Sequence, residues 1–223
     1  MIKFFLYLIF CILLMFLDFL FNLRGLLTLI FDVFVCVLVI VNSKKLKQNF
    51  KISSVTYLIF GALSLMLLAI LKEIIVHYFY EYPINFYKNI DVFFVVSIVL
   101  KSFTEEVIFR KFWLQYFSEK YHLNISILIT SLGFAFLHIF SKTNPIFAFL
   151  SSLVLCYIYF QNKSIISTYI IHLMINLFVI FIMPSFLVYY SHVESWNKIK
   201  TIVIVILLTI CFLKFLLKKD NKS

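Results

Sequence analysis

Apolar runs about as long as a membrane-crossing helix recur along the whole chain, separated by short polar stretches and without sustained alternation of apolar and polar positions. A helix needs about 20 residues to cross a hydrocarbon core about 30 Å thick. On that measure the pattern predicts about eight helices, at roughly 4–22, 26–42, 52–75, 91–117, 123–141, 145–160, 164–183 and 197–217. Lipid offers backbone groups no hydrogen bonds, so a spanning segment must be a helix or a strand of a closed barrel. Barrel strands show about 10 residues of alternating character, unlike an unbroken run such as Ile52 to Leu71. The expected fold is therefore all-α, a polytopic transmembrane helix bundle of about eight spans. The first segment, Phe4 to Phe21, has no small-residue cleavage site, contains Asp18 and runs almost directly into the next apolar stretch, so it is expected to stay as a helix rather than be removed.

Composition supports this reading, since 64% of the residues are hydrophobic and 13% charged, against about half and a quarter in soluble domains. The net charge of +10 comes from lysines clustered between and after the apolar runs. That distribution orients helices in a membrane and does not build a basic face for nucleic acid. With the N-terminus in the cytoplasm, the cluster Lys44, Lys45, Lys47 and Lys51 and the C-terminal Lys218, Lys219 and Lys222 fall on the same side. Localisation is expected to be the cell membrane, multi-pass, with both termini cytoplasmic. The expected outer loops, Tyr78 to Ile90 and Pro184 to Asn197, carry tyrosine and tryptophan suited to an interface. Cys11, Cys36, Cys156 and Cys211 lie inside apolar runs without metal-ligand spacing, and read as small core residues. Frequent Phe, Ile, Lys and Asn point to an AT-rich bacterial genome.

Ionisable groups at depth in a bilayer need a partner or a purpose, because each costs about 2.5–3.5 kcal/mol to insert. The densest group is Lys101, Glu105, Glu106 and Arg110, and later helices add His138, His172 and Asn176. Residues four apart share a helical face, whereas neighbours diverge by about 100°. Glu106 and Arg110 therefore pair, and Glu105 points elsewhere, with Lys101 either reaching back to it or snorkelling. Phe134 with His138, and His172 with Asn176, repeat the four-residue spacing. Taken singly, these residues also read as a structural ion-pair cluster, a histidine packed on a ring and bonded to a neighbouring helix, and interhelical glue. Taken together on three helices, they form a hydrolase set: a carboxylate and an imidazole to activate water, with an imidazole and a carboxamide to hold an oxyanion.

The run Glu105-Glu106-Val107-Ile108-Phe109-Arg110 resembles the EExxxR motif of the CPBP family, the CAAX prenyl protease and bacteriocin-processing proteins also called Abi proteins. Phe134 to His138 resembles that family's FxxxH motif and His172 to Asn176 its HxxxN motif, in the same order. The resemblance implies an intramembrane glutamic endopeptidase in which Glu105 and His138 activate water, His172 and Asn176 stabilise the oxyanion, and Glu106 and Arg110 support them. Lys111 departs from the glycine that relatives often carry after the arginine. The chain then divides into N-terminal helices over 1–75 without a recognised motif, a CPBP-like catalytic core over 91–185, and a C-terminal helix with a basic cytoplasmic tail over 186–223.

No cofactor is favoured, because the chain has no HExxH pair. Zinc remains open, with Glu105, His138 and His172 as its ligands. Expected partners are the bilayer and a membrane peptide or protein substrate, and not nucleic acid. The alternative to proteolysis is a non-catalytic bacteriocin-immunity or regulatory protein using the same polar pocket for binding. A transporter is the third class, disfavoured because three glycines and three prolines leave few places to break a helix.

Overall fold

Apolar sequence with few breakers has folded as expected: every regular element is helical among the residues described by the computed structural model, 9–10, 13–14, 16–18, 20–21, 26–41, 55–80, 90–139, 144–193 and 195–217. These elements are α1 (Leu26–Val41), α2 (Val55–Tyr80), α3 (Val92–Glu106), α4 (Gln115–Ser118), α5 (Leu123–Ile139), α6 (Pro145–Asn162), α7 (Ile165–Leu177), α8 (Met183–Ser191) and α9 (Ser195–Leu217). Two π-helical stretches join consecutive helices without a break, Val107–Leu114 between α3 and α4 and Phe178–Ile182 between α7 and α8. Among the described residues three helical stretches are long and apolar enough to cross a membrane, Val55–Val76, Pro145–Asn162 and Ile165–Ser191, and Leu26–Val39 and Leu123–Ile139 are shorter apolar helices. The lysine clusters behind the expected orientation lie outside the described residues.

Local chemistry explains several helix ends. Asn144 caps α6 by accepting from Ile146 N at 2.9 Å and Phe147 N at 3.2 Å, with Pro145 at the first position, where no N–H is missed. Lys163 ends α6 in the left-handed region at φ 50°. Ser164 then opens α7, its Oγ accepting from Ser167 N at 3.1 Å. Asp18 acts at longer range: its two carboxylate oxygens accept from Leu27 N at 3.0 Å and Thr28 N at 3.1 Å, satisfying the first turn of α1. The expected outer loop at Pro184 to Asn197 is corrected by α8, which runs to Ser191. Pro184 has no N–H and its ring crowds the preceding turn. The π-helical stretch just ahead of it widens that turn, so the chain stays helical.

The chain forms two units, residues 1–52 with 92–169, and 53–91 with 170–223. In the first, α5 packs on α6 and on the π-helical stretch, and α1 packs on α3. The π-helical stretch separates two apolar clusters. Val107 and Leu114 enter one with Val39, Ile127, Cys156, Tyr159 and Ile165. Ile108, Phe109 and Trp113 enter the other with Phe117, Phe134 and Ala148. Gly133 admits the indole, since a Cβ there would lie 2.3 Å from Trp113 Cζ3.

In the second unit α9 packs along α2, with Phe60 and Phe212 rings 5.2 Å apart. Ala62, Leu65 and Ala69 are buried on α2, and Val205 and Thr209 on α9. The turn from α8 to α9 is closed by Lys198, whose Nζ donates to Ser191 O at 3.2 Å. Of the described cysteines, Cys156 is buried as expected, but Cys36 is half-buried and Cys211 is exposed on α9. An exposed cysteine suits a helix whose outer face is otherwise Ile204, Leu207 and Leu208, a surface for lipid.

Candidate active site

The first unit holds Glu105, Glu106, Arg110 and His138, and the second holds His172 and Asn176. Glu106 closes α3 and Arg110 lies one turn on, inside the π-helical stretch. Both side chains are fully buried, with Arg110 Nε 3.2 Å from Glu106 Oε2. The two meet as charges and not as an aligned hydrogen bond, and Arg110 Nη1 and Nη2 have no hydrogen-bond acceptor among the described residues. The guanidinium lies instead 5.0 Å from the centre of the Phe134 ring, whose π face favours a cation in a water-free place. Phe109 meets the same ring edge-on at 5.0 Å.

Phe134 also carries the histidine one turn later. The His138 ring lies 4.4 Å from it, tilted by 35°, and His138 Nδ1 lies 2.8 Å from Phe134 O. A carbonyl oxygen only accepts, so Nδ1 is the donor in this contact and Nε2 is the ring nitrogen left for other partners. This hydrogen bond stays within one helix, because four residues is the span of one turn. The EExxxR and FxxxH pairs thus share one phenyl ring.

Glu105 diverges from Glu106 as adjacent helical residues must. Its side chain is 15% exposed, and Lys101 Nζ approaches Oε1 at 3.9 Å, so Lys101 does reach back. Asp32 of α1, 7% exposed, lies within electrostatic reach of both Glu105 and Lys101. Thr104 joins the helices, its Oγ1 donating to Asp32 O at 3.5 Å. Asp32 was the polar residue that motif spacing left aside. Its signal was an ionisable residue inside an apolar run, the same signal that drew attention to Glu105.

In the second unit His172 is 6% exposed and Asn176 half-buried, one turn apart on α7 and hence on one face of it. The π-helical stretch Phe178–Ile182 begins two residues beyond Asn176, much as the other begins directly after Glu106. Such widened turns recur at functional sites. Among the described residues no three His, Cys, Asp or Glu side chains group as ligands for one metal ion.

Residues 87–178 match the family model described as Type II CAAX prenyl endopeptidase Rce1-like, which is less than half of the chain but includes all three motifs. These residues carry the Rce1-like signature of the CPBP family. The recognition drawn from Glu105 to Arg110, Phe134 to His138 and His172 to Asn176 therefore stands. The Rce1-like family is one of proteases, and together with the apolar helices it marks a membrane protein. Neither a curated protein nor a solved structure matches the chain.

Proposed function

We propose that this chain is an intramembrane endopeptidase that cleaves a small membrane-associated peptide, or the membrane-proximal segment of a protein, with water activated by Glu105 and His138. One observation carries the reading: the Rce1-like match covers the carboxylate, imidazole and amide residues that peptide hydrolysis requires.

In this mechanism Glu105 takes a proton from water held against His138 Nε2, and the resulting hydroxide attacks the scissile carbonyl carbon. Negative charge moves to the carbonyl oxygen, and the family resemblance gives His172 and the Asn176 carboxamide the role of hydrogen-bond donors to an oxyanion. Glu105 returns the proton to the leaving nitrogen as the C–N bond breaks. The Glu106–Arg110 pair and Phe134 hold the helix ends that carry Glu105 and His138. No step needs a metal.

The substrate class is a membrane peptide, such as a pheromone or bacteriocin precursor in a bacterial host, and the protein is multi-pass with both ends in the cytoplasm. The test offers the purified full chain an internally quenched prenylated CAAX peptide and a set of hydrophobic precursor peptides, with products read by mass spectrometry and metal content measured alongside. A single internal cut, made by metal-free protein and lost in His138→Ala, supports the proposal. Cleavage unchanged in His138→Ala rejects it, and stoichiometric zinc lost together with activity replaces it with a metal mechanism on Glu105, His138 and His172.

A further inference from the structure

The helices ahead of the family match carry no motif, yet one of them delivers a buried acid to the candidate site. Asp32 lies on α1, which packs along α3, the helix of Lys101 and Glu105. The juxtaposition is local to one unit and is fixed by contacts of different kinds. Thr104, next to Glu105 in sequence and itself 2% exposed, has its hydroxyl 3.5 Å from Asp32 O. Val39 of α1 is buried among Val107 and Leu114, and Phe31 packs against the cluster that holds Phe109 and Phe134. The residue on either side of the Glu105–Glu106 turn is thus pinned to α1, and Asp32 cannot turn toward lipid without dismantling that packing.

Charge then decides what Asp32 faces. Two carboxylates, Asp32 and Glu105, confront one ammonium, Lys101, within electrostatic reach. Lys101 Nζ is 3.9 Å from Glu105 Oε1, a distance at which it attracts without closing a hydrogen bond. A lysine drawn fully onto Glu105 would occupy the lone pairs a general base needs. Asp32, on the neighbouring helix, is a second acid within electrostatic reach of the same ammonium.

We propose that Asp32 is a positioning residue for Glu105, sharing Lys101 with it so that the ammonium orients the glutamate without being drawn fully onto it. Helix α1 then completes the site and is not a mere flank. The idea deepens the endopeptidase reading and rests on it for its catalytic meaning, while the three-residue arrangement is open to test by itself.

The experiment treats the full chain in detergent with a membrane-permeant carbodiimide, which condenses a carboxyl with an amine and expels the elements of water into the urea formed. Peptides are then mapped by mass spectrometry. The expected products are two competing amides, Lys101 to Glu105 and Lys101 to Asp32, with the second rising severalfold in Glu105→Gln and the first rising in Asp32→Asn. Absence of any Lys101 to Asp32 amide in both the wild type and Glu105→Gln overturns the proposal. In cleavage assays on the quenched peptide, Asp32→Asn is expected to lower kcat by about 10- to 100-fold, the scale of a slightly misplaced catalytic group, with KM and the unfolding midpoint unchanged. Wild-type kcat in Asp32→Asn sinks the positioning role even where Glu105→Gln is inactive. If Glu105→Gln itself keeps full activity, the endopeptidase reading fails, and the amide products still report whether Lys101 is shared.

Discussion

Arg110 and Phe134 meet at 5.0 Å, guanidinium over ring, a contact between the helix of the paired glutamates and the helix of His138. The arginine has its charge balanced by Glu106 on one side and by a π face on the other. His138 rests on that same ring, so the ring sets the positions of a fixed cation and of an imidazole at once.

Removing one half of the buried ion pair should be far worse than removing both. Arg110→Leu strands the Glu106 carboxylate in a fully buried place, an expected loss of about 3–5 kcal/mol. Glu106→Leu combined with Arg110→Leu leaves no buried charge and should recover most of it. Thermal unfolding midpoints of the three variants in detergent check this, and losses that simply add would refute the pairing.

Gly133 is a packing requirement. Its added Cβ would collide with Trp113, which Phe109 confines from another side at a ring distance of 4.7 Å. Gly133→Ala should destabilise by about 1–3 kcal/mol, the usual range for overpacking. Trp113→Leu in the same chain should remove the penalty. A double-mutant cycle on unfolding midpoints measures the coupling, and independent effects would show that helix and indole do not meet.

Asp18 should matter through two backbone amides. Asp18→Ala removes the acceptor for Leu27 N and Thr28 N, a loss of about 1 kcal/mol for a helix cap. Asp18→Asn, which keeps one oxygen, should fall between. Hydrogen exchange over residues 27–28 should speed up while exchange in α6 stays the same.

The local parts of this architecture were legible and the tertiary parts were not. Spacing alone paired Glu106 with Arg110 and sent Glu105 elsewhere, because both statements concern one helix. The three motifs, in order, fall within the residues that match the Rce1-like model. Nothing in Val107 to Leu114, which has neither glycine nor proline, announces a π-helical stretch. Its wider turn reflects how the residues divide between two apolar clusters, a property of neighbours distant in sequence. Asp18 spoke in the sequence only against removal of the first segment, and its partners lie nine and ten residues on. Pro184 read as a loop start because proline usually ends a helix, and only the widened turn before it lets α7 continue into α8.

The account turns on Glu105 as the base that activates water. Its most direct test is the single-turnover rate of peptide cleavage by Glu105→Gln, a change that keeps shape and removes only the ability to take a proton. The predicted result is a fall of about 10²–10⁴-fold, the usual contribution of a general base, with the unfolding midpoint and membrane insertion of the wild type. A Glu105→Gln protein that cuts the same bond at the wild-type rate would contradict it.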